Sequence, residues 1–257
     1  MLARTLGKTG ISVSPIGYGA VKIGRNQQTK YGDFAIPDDL EVEKLLLGIL
    51  DLGINLIDTA PAYGLSESRI GNILKKQRSR CVLSTKVGET FVDGKSNYDF
   101  SSDAIEKSVF RSLRRLQTDH VDLLLLHSNG RDQEILKQTD AVETLERIRN
   151  RGWARAIGFS GYQLSEETDC LDWADILMLE YHPENTIRKP LIDQANAVGV
   201  GVLVKKGLDC GRIAPAAAIG HALEHRGVSS LVIGSLNLKH CVENCALAAA
   251  ANANESN

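Results

Sequence analysis

Eight short apolar runs recur along the chain: Pro15–Ala20, Asn55–Asp58, Cys81–Lys86, Val121–His127, Ala154–Phe159, Asp175–Tyr181, Val200–Lys205 and Ser230–Gly234. No other feature limits the possible folds as tightly. Several are near-continuously apolar, the pattern of strands buried on both faces of a parallel sheet. Segments of helical period separate most of them, among them Asp39–Leu52, Ser102–Leu116, Thr139–Arg149, Pro190–Val198 and Pro215–His225. In the second of these, Ile105, Val109, Leu113 and Leu116 share one face, and Lys107, Arg111 and Arg114 turn away from it. Ser101, Ser102 and Asp103 supply N-cap chemistry at its start. Eight βα units in 257 residues match a closed (β/α)8 TIM barrel, which takes about 250 residues. An open doubly wound sheet is the alternative architecture.

No linker or composition break divides residues 1–257, so one domain is expected. Residues 1–15 stand outside the βα rhythm. Arg4 to Gly10, followed by Ile11 to Ser14, reads as a β-hairpin with a glycine-bearing turn, placed to close the barrel bottom. The tail, 246–257, ends in alanine and asparagine and is expected to fray.

Composition excludes several functions. A formal net charge of −2 gives no electrostatic case for binding nucleic acid or an anionic membrane. The five cysteines are scattered, with no C-x-x-C spacing, so neither zinc nor a disulfide framework is indicated. The six histidines form no ligand cluster at strand ends, so no metal is expected. No apolar run approaches the roughly 20 residues of a membrane span, and the first residues lack the apolar core of a signal peptide. A cytoplasmic monomer or weak homo-oligomer is the default expectation.

The strand ends carry the chemistry. Asp58 closes the second run, Lys86 the third and His127 the fourth, and Tyr63 follows Asp58 past a proline. In an α/β barrel the C-terminal strand ends converge on one face, where active sites are built. Taken singly, each residue has a plainer reading: Asp58 as a helix cap or turn former, Lys86 as a solvated head on a buried stem, His127 as a hydrogen-bonded structural residue, Tyr63 as a packed aromatic. Together on adjacent strand ends they can meet. A phenol is a poor acid near neutrality; a nearby ammonium would lower its pKa, and a carboxylate would hold that ammonium in place. A histidine on the other side can orient a carbonyl oxygen. Such a set gives a proton to, and polarises, a C=O group.

At these residues the chain resembles the aldo-keto reductase superfamily. The matching stretches are Arg4 to Ser14, Asn55 to Ala60, Ala62 to Gly64, Ser84 to Lys86, Leu123 to His127, Ile157 to Ser160, Glu180 to Pro183 and Val232 to Ser235. The resemblance implies a barrel with an N-terminal hairpin and a metal-free, NADPH- or NADH-dependent carbonyl reductase. Its catalytic tetrad falls on Asp58, Tyr63, Lys86 and His127. Tyr63 would be the proton donor, Lys86 and Asp58 its electrostatic support, and His127 the orienting donor.

The cofactor contacts implied by the resemblance depart from the usual pattern. Ser160-Gly161 replaces Ser-Asn, so one carboxamide donor is missing. Met178 takes the place of a glutamine, and Lys205 that of an aromatic stacking on the nicotinamide. The pyrophosphate is expected along Leu208–Gly211 and Gly234–Ser235, with Asn244 near the adenine. Asn237, Lys239 and His240 complete the set. No arginine stands where the family grips a 2′-phosphate, so only Lys239 and His240 tilt the expectation toward NADP(H) over NAD(H). The substrate pocket is expected among Val21, Lys22, Val87 to Phe91 and Ser128 to Arg131, with the Val87–Phe100 loop as a flap. A polar carbonyl compound such as a sugar aldehyde is the expected substrate, an anionic one the minority option.

Other enzyme classes fail on spacing. Gly158-Phe-Ser-Gly-Tyr162 lacks the final glycine of a nucleophile elbow, and Gly17-Tyr-Gly19 lacks the third glycine of a dinucleotide fingerprint. The rival reading is a regulatory or partner subunit of the same fold, binding cofactor with little turnover.

Overall fold

The computed structural model describes residues 2–165 and 169–254. A hairpin comes first, β1 (Arg4–Thr5) with β2 (Ser12–Val13). Then follow β3 (Ile16–Gly19), α1 (Asp39–Asp51), β4 (Leu56–Asp58), α2 (Ser66–Leu74) and β5 (Val82–Val87). A second hairpin, β6 (Glu89–Val92) and β7 (Lys95–Tyr98), precedes α3 (Ser102–Leu116) and β8 (Val121–His127). The chain continues through α4 (Asp132–Gln138), α5 (Ala141–Asn150), β9 (Ala154–Ser160) and β10 (Ile176–Glu180). It ends with α6 (Lys189–Val198), β11 (Gly201–Lys205), α7 (Pro215–Glu224), β12 (Val228–Ile233) and α8 (Leu238–Asn254).

The strands β10-β11-β12-β3-β4-β5-β8-β9 form a closed barrel, every neighbouring pair parallel. The open-sheet alternative is thereby excluded. Each of the eight apolar runs supplies one strand, because each buries its backbone between an inner and an outer apolar layer. The outer layer joins strands to helices through residues such as Leu124, Ile157 and Val109. The helices take their caps from sequence: Asp38 and Glu41 form a reciprocal capping box at α1, and the Ser101 hydroxyl accepts from Ala104 N–H at α3.

The inner layer is a separate apolar cluster. Leu6, Ile11 and Val13 of the hairpin pack with Leu56, Val82, Leu123, Leu125, Ile176 and Leu203. The hairpin thus plugs the N-terminal end of the barrel, each such side chain contributing about 1.5–3 kcal/mol by burial. Arg4 ties it down, donating to the carbonyls of Val228 (2.9 Å) and Leu223 (2.8 Å).

Two expectations change. The tail from 246 to 254 is helical: α8 runs through Asn254, with Ala248 fully buried in the core. Residues 255–257 of that tail lie outside the described residues. The Val87–Phe100 loop is instead the β6–β7 hairpin, turning at Asp93 and Gly94, both at positive φ.

Candidate active site

The C-terminal strand ends surround a cleft of about 300 Å³. Asp58, Tyr63, Lys86 and His127 all line it. Three come from consecutive strands, since β4, β5 and β8 are neighbours in the barrel. Tyr63 ends a short 3-10 turn, Pro61–Tyr63, just past β4. That turn is clamped by two glycines. A Cβ on Gly24 would lie 2.2 Å from the Tyr63 carbonyl oxygen, and one on Gly64 would lie 2.3 Å from the Gly24 carbonyl oxygen. Gly64 also sits at φ 59°, a conformation that favours glycine.

The Asp58–Lys86 pair is buried, at 4% and 1% exposure. Lys86 Nζ donates to both Asp58 carboxylate oxygens at 2.7 Å and to the Thr59 carbonyl at 2.9 Å. All three ammonium donors are therefore engaged. The Ser84 hydroxyl donates to Asp58 Oδ1 at 2.8 Å. Lys86 Nζ lies 5.0 Å from the centre of the Tyr63 ring. The Tyr63 and His127 rings meet edge to face, centroids 6.2 Å apart.

The Tyr63 phenol behaves opposite to the sequence expectation. Burial, reinforced by Asp58, Glu89 and Tyr162, pushes its pKa well above 10. Arg25 acts the other way but does not outweigh burial. The phenol stays protonated throughout the neutral range. His127 is lowered from its ordinary value, chiefly by burial, with Glu89 acting the other way and Lys86 and Lys205 adding to the depression.

Glu89, expected from the sequence only within the pocket stretch Val87 to Phe91, completes the inner group. Glu89 Oε2 lies 2.8 Å from His127 Nδ1, an ionic contact at hydrogen-bond distance but not aligned as a full hydrogen bond. Glu89 Oε1 accepts from the Ser96 hydroxyl at 2.6 Å and lies 4.0 Å from Arg25 Nη1. Burial works against the Glu89 carboxylate, but contacts with His127, Ser96 and Arg25 outweigh it and hold its pKa down to about 2. Arg25, Tyr31, Ser96, Tyr98, Tyr162 and Lys206 also line the cleft. Of these only Tyr162, three residues past the Ala154–Phe159 run, and Lys206, next to Lys205, follow an apolar run closely.

The expected cofactor residues divide. Ser160, Met178, Lys205 and Gly234 line the cleft; Gly161, Leu208, Gly211, Ser235, Asn237, Lys239, His240 and Asn244 do not. Lys205 Nζ donates to Ser160 Oγ at 3.0 Å and sits 4.6 Å from the Tyr162 ring centre. Lys206 approaches the same ring at 4.7 Å but pairs with Glu180 at 3.1 Å. Burial, Lys206 and Lys86 together press the Lys205 pKa down to about 7. The Gly161 N–H donates to the Met178 carbonyl, and a Cβ there would strike Leu164 and Asp132. Met178 itself packs in the apolar barrel interior. Leu208 packs against the outer core, and Gly211 lies in a tight turn at φ 98°.

At the start of α8, Asn237 Oδ1 accepts from Lys239 N–H at 3.0 Å, and Ser235 Oγ accepts from Asn237 N–H at 3.1 Å. His240 Nδ1 lies 3.4 Å from Ser235 Oγ. Lys239 and His240 are exposed, and Asn244 is buried. Of the expected substrate residues, Val21 and Glu89 line the cleft. Lys22 lies over the Tyr31 and Phe34 rings, and exposed Arg131 pairs with Glu134 at 3.4 Å.

Residues 15–209 match the model of the aldo/keto reductase family. The chain belongs to that family. Among solved structures, a putative aldo-keto reductase from Pseudomonas aeruginosa is 42% identical, with a TM-score of 0.90 over 97% of this chain and 94% of that one. An aldo-keto reductase from Bacillus halodurans is 25% identical, with a TM-score of 0.81 over 96% and 90% of the two chains. L-galactose dehydrogenase of Arabidopsis thaliana is 32% identical over 81% of this chain, which spans 66% of that protein. D-arabinose 1-dehydrogenase of Saccharomyces cerevisiae is 35% identical over 63% of this chain, which spans 46% of it. The chain is thus shorter than these two family members. Among the described residues no group of three or more His, Cys, Asp or Glu side chains could hold a metal ion. No described helix is long and apolar enough to cross a membrane.

Proposed function

We propose that this protein is a nicotinamide-dependent oxidoreductase that reversibly reduces an aldehyde or ketone to an alcohol. The observation that carries the reading is the buried Asp58–Lys86 pair held against Tyr63 and His127 in one cleft. Tyr63 is the proton donor. Its phenol keeps its proton through the neutral range, yet an alkoxide is a far stronger base than a phenolate and takes that proton readily. Lys86, fixed by Asp58, supplies positive charge beside the phenolate left behind; water restores the proton. His127 orients the carbonyl oxygen from the other side.

A nicotinamide cofactor fits the residues present. Gly19 and Gly234 pack back to back, a Cβ on Gly234 coming within 2.8 Å of the Gly19 carbonyl oxygen, so the cleft wall there is bare backbone. Ser235 stands just before the N-terminus of α8, where a helix end favours phosphate. Lys239 and His240, both exposed, would take the 2′-phosphate and favour NADP(H) over NAD(H). Leu208, Gly211, Asn237 and Asn244 would flank the remaining dinucleotide, and Ser160, Gly161, Met178 and Lys205 the nicotinamide end. When bound, the cofactor supplies the hydride. A sugar aldehyde or similar polar carbonyl compound suits a cleft rimmed by Gln28, Ser96 and tyrosines, and two relatives carry sugar-dehydrogenase names.

The test is turnover of an aldehyde panel with NADPH and NADH, alongside cofactor titration by fluorescence quenching. Tyr63→Phe is expected to lower kcat/KM by about 10²–10⁴-fold while cofactor binding persists. Near-normal reduction by Tyr63→Phe refutes the assignment. Cofactor binding without turnover in the parent protein would favour the regulatory-subunit reading instead.

A further inference from the structure

We infer that Glu89 is a positioning residue for His127: its carboxylate fixes a proton on Nδ1 and so leaves Nε2 as the ring nitrogen that serves the cleft. A carboxylate oxygen only accepts hydrogen bonds. Nδ1 lies 2.8 Å from Glu89 Oε2, in ionic contact though not aligned as a full hydrogen bond, and two acceptors at that distance repel, so the contact favours hydrogen on Nδ1. Nδ1 is also the buried nitrogen, so Nε2 remains for a ligand. A neutral ring protonated on Nδ1 has a bare, accepting Nε2; only the imidazolium donates from both nitrogens. On the proposed reductase reading, His127 therefore donates to a carbonyl oxygen when charged and accepts from an alcohol when neutral. Glu89 sets the balance between those two forms.

The surroundings support a positioning role. Glu89 is 7% exposed and is held on its other oxygen by the Ser96 hydroxyl and, at longer range, by Arg25. Both Glu89 and Ser96 sit on the β6–β7 hairpin, paired across it through the Phe91–Ser96 and Glu89–Tyr98 register. The Arg25 guanidinium stacks on Phe91 at 3.5 Å, and Gln28 donates to the Gly94 carbonyl. The hairpin is thereby docked against the Arg25–Gln28 loop with its carboxylate on the ring. The other charges around His127 act against protonation: Lys86 from β5 and Lys205 from β11. Tyr63 meets the ring by its edge, and Ser160, its partner on β9, carries no charge. Glu89 opposes them at the ring and favours its protonation.

The first measurement is the nitrogen NMR spectrum of His127 in the ligand-free protein, assigned with His127→Gln. The neutral ring is expected as the Nδ1–H tautomer. A neutral Nε2–H tautomer overturns the inference. The second is the pH profile of kcat/KM for carbonyl reduction in the parent and in Glu89→Gln. The parent rate is expected to fall as pH rises through a His127 pKa lying below its ordinary value. Removing the carboxylate should move that limb down by about one pH unit or more. A purely structural role for Glu89 would change stability or KM and leave the limb in place; that result overturns the inference. A parent protein that reduces no carbonyl, yet shows the Nδ1–H tautomer, would sink the reductase reading and leave the Glu89–His127 pairing standing. If Glu89→Gln does not fold, the parent tautomer alone decides.

Discussion

Replacing Lys86 by methionine removes one half of a buried ion pair and leaves the Asp58 carboxylate behind at 4% exposure. Asp58 then keeps only the Ser84 hydroxyl at 2.8 Å. Breaking a buried pair on one side costs about 3–5 kcal/mol, because the remaining charge is desolvated without compensation. Asp58→Asn strands the ammonium in the same way, with the Thr59 carbonyl as its main remaining contact. At about 2–4 °C per kcal/mol for a chain of this size, each single substitution should lower Tm by about 6–20 °C. The double variant Asp58→Asn/Lys86→Met contains neither charge. It should cost less than about 3 kcal/mol in total, well short of the sum of the singles, since neighbouring sites couple strongly. Urea unfolding of the four proteins measures this cycle. Carbonyl reduction should stay lost in the double variant even as stability returns, separating the pair's structural and chemical roles. Single costs under about 1 kcal/mol, the range of exposed pairs, or simple additivity, would show that the pair is hydrated and that the reasoning fails.

Lys205→Met should stabilise the protein more at pH 6 than at pH 9. Lys205 is pressed down to about 7 in the folded state, so the unfolded chain binds more protons above that value, and the penalty of the buried charge is fully present only below it. Thermal melts at the two pH values check the sign; equal gains at both would contradict it. Gly24→Ala places a Cβ 2.2 Å from the Tyr63 carbonyl oxygen, a backbone collision. It should cost about 1–3 kcal/mol and displace Tyr63, read as lost reduction with retained cofactor binding; a fully active variant would show that the Tyr63 turn is not set by this contact.

Much of the barrel was legible because its strands announce themselves locally. Val121–His127 and Ser102–Leu116 have the same bounds in sequence and structure. The first is an unbroken apolar run closed by a histidine; the second combines a cap with a clear apolar stripe. The ends of β4, β5 and β8 likewise told which side chains share a face. What escaped depends on tertiary contacts. Helix α4 is short and has no side-chain cap at its start. Helix α8 is rich in alanines, of which, among the described residues, only Ala248 is buried, so it gives little hydropathic signal although alanine is the strongest helix former. The β6–β7 hairpin is largely polar, with no clean alternation, so its strands give little signal beside the turn at Asp93-Gly94. Glu89 meets His127 across two different strands, and no local period encodes such a meeting. The direction of the Tyr63 shift lies outside the sequence for a similar reason: the depth at which the phenol is buried, with Asp58 and Glu89 near it, is a fact of three-dimensional geometry.

The hairpin plug has a consequence for how such a molecule can change over time. Leu6, Ile11 and Val13 seal one end of the barrel with contacts that involve no reacting group, while every side chain named in the cleft belongs to the opposite end. Mutational tolerance should therefore run as a gradient along the barrel axis. Near the plug, drift is limited by packing volume, as in any close-packed interior. Near the cleft, loop positions away from Arg25, Glu89 and Ser96 can be exchanged at small cost to the scaffold. New substrate preferences can accumulate there while the sealed end keeps its apolar lining.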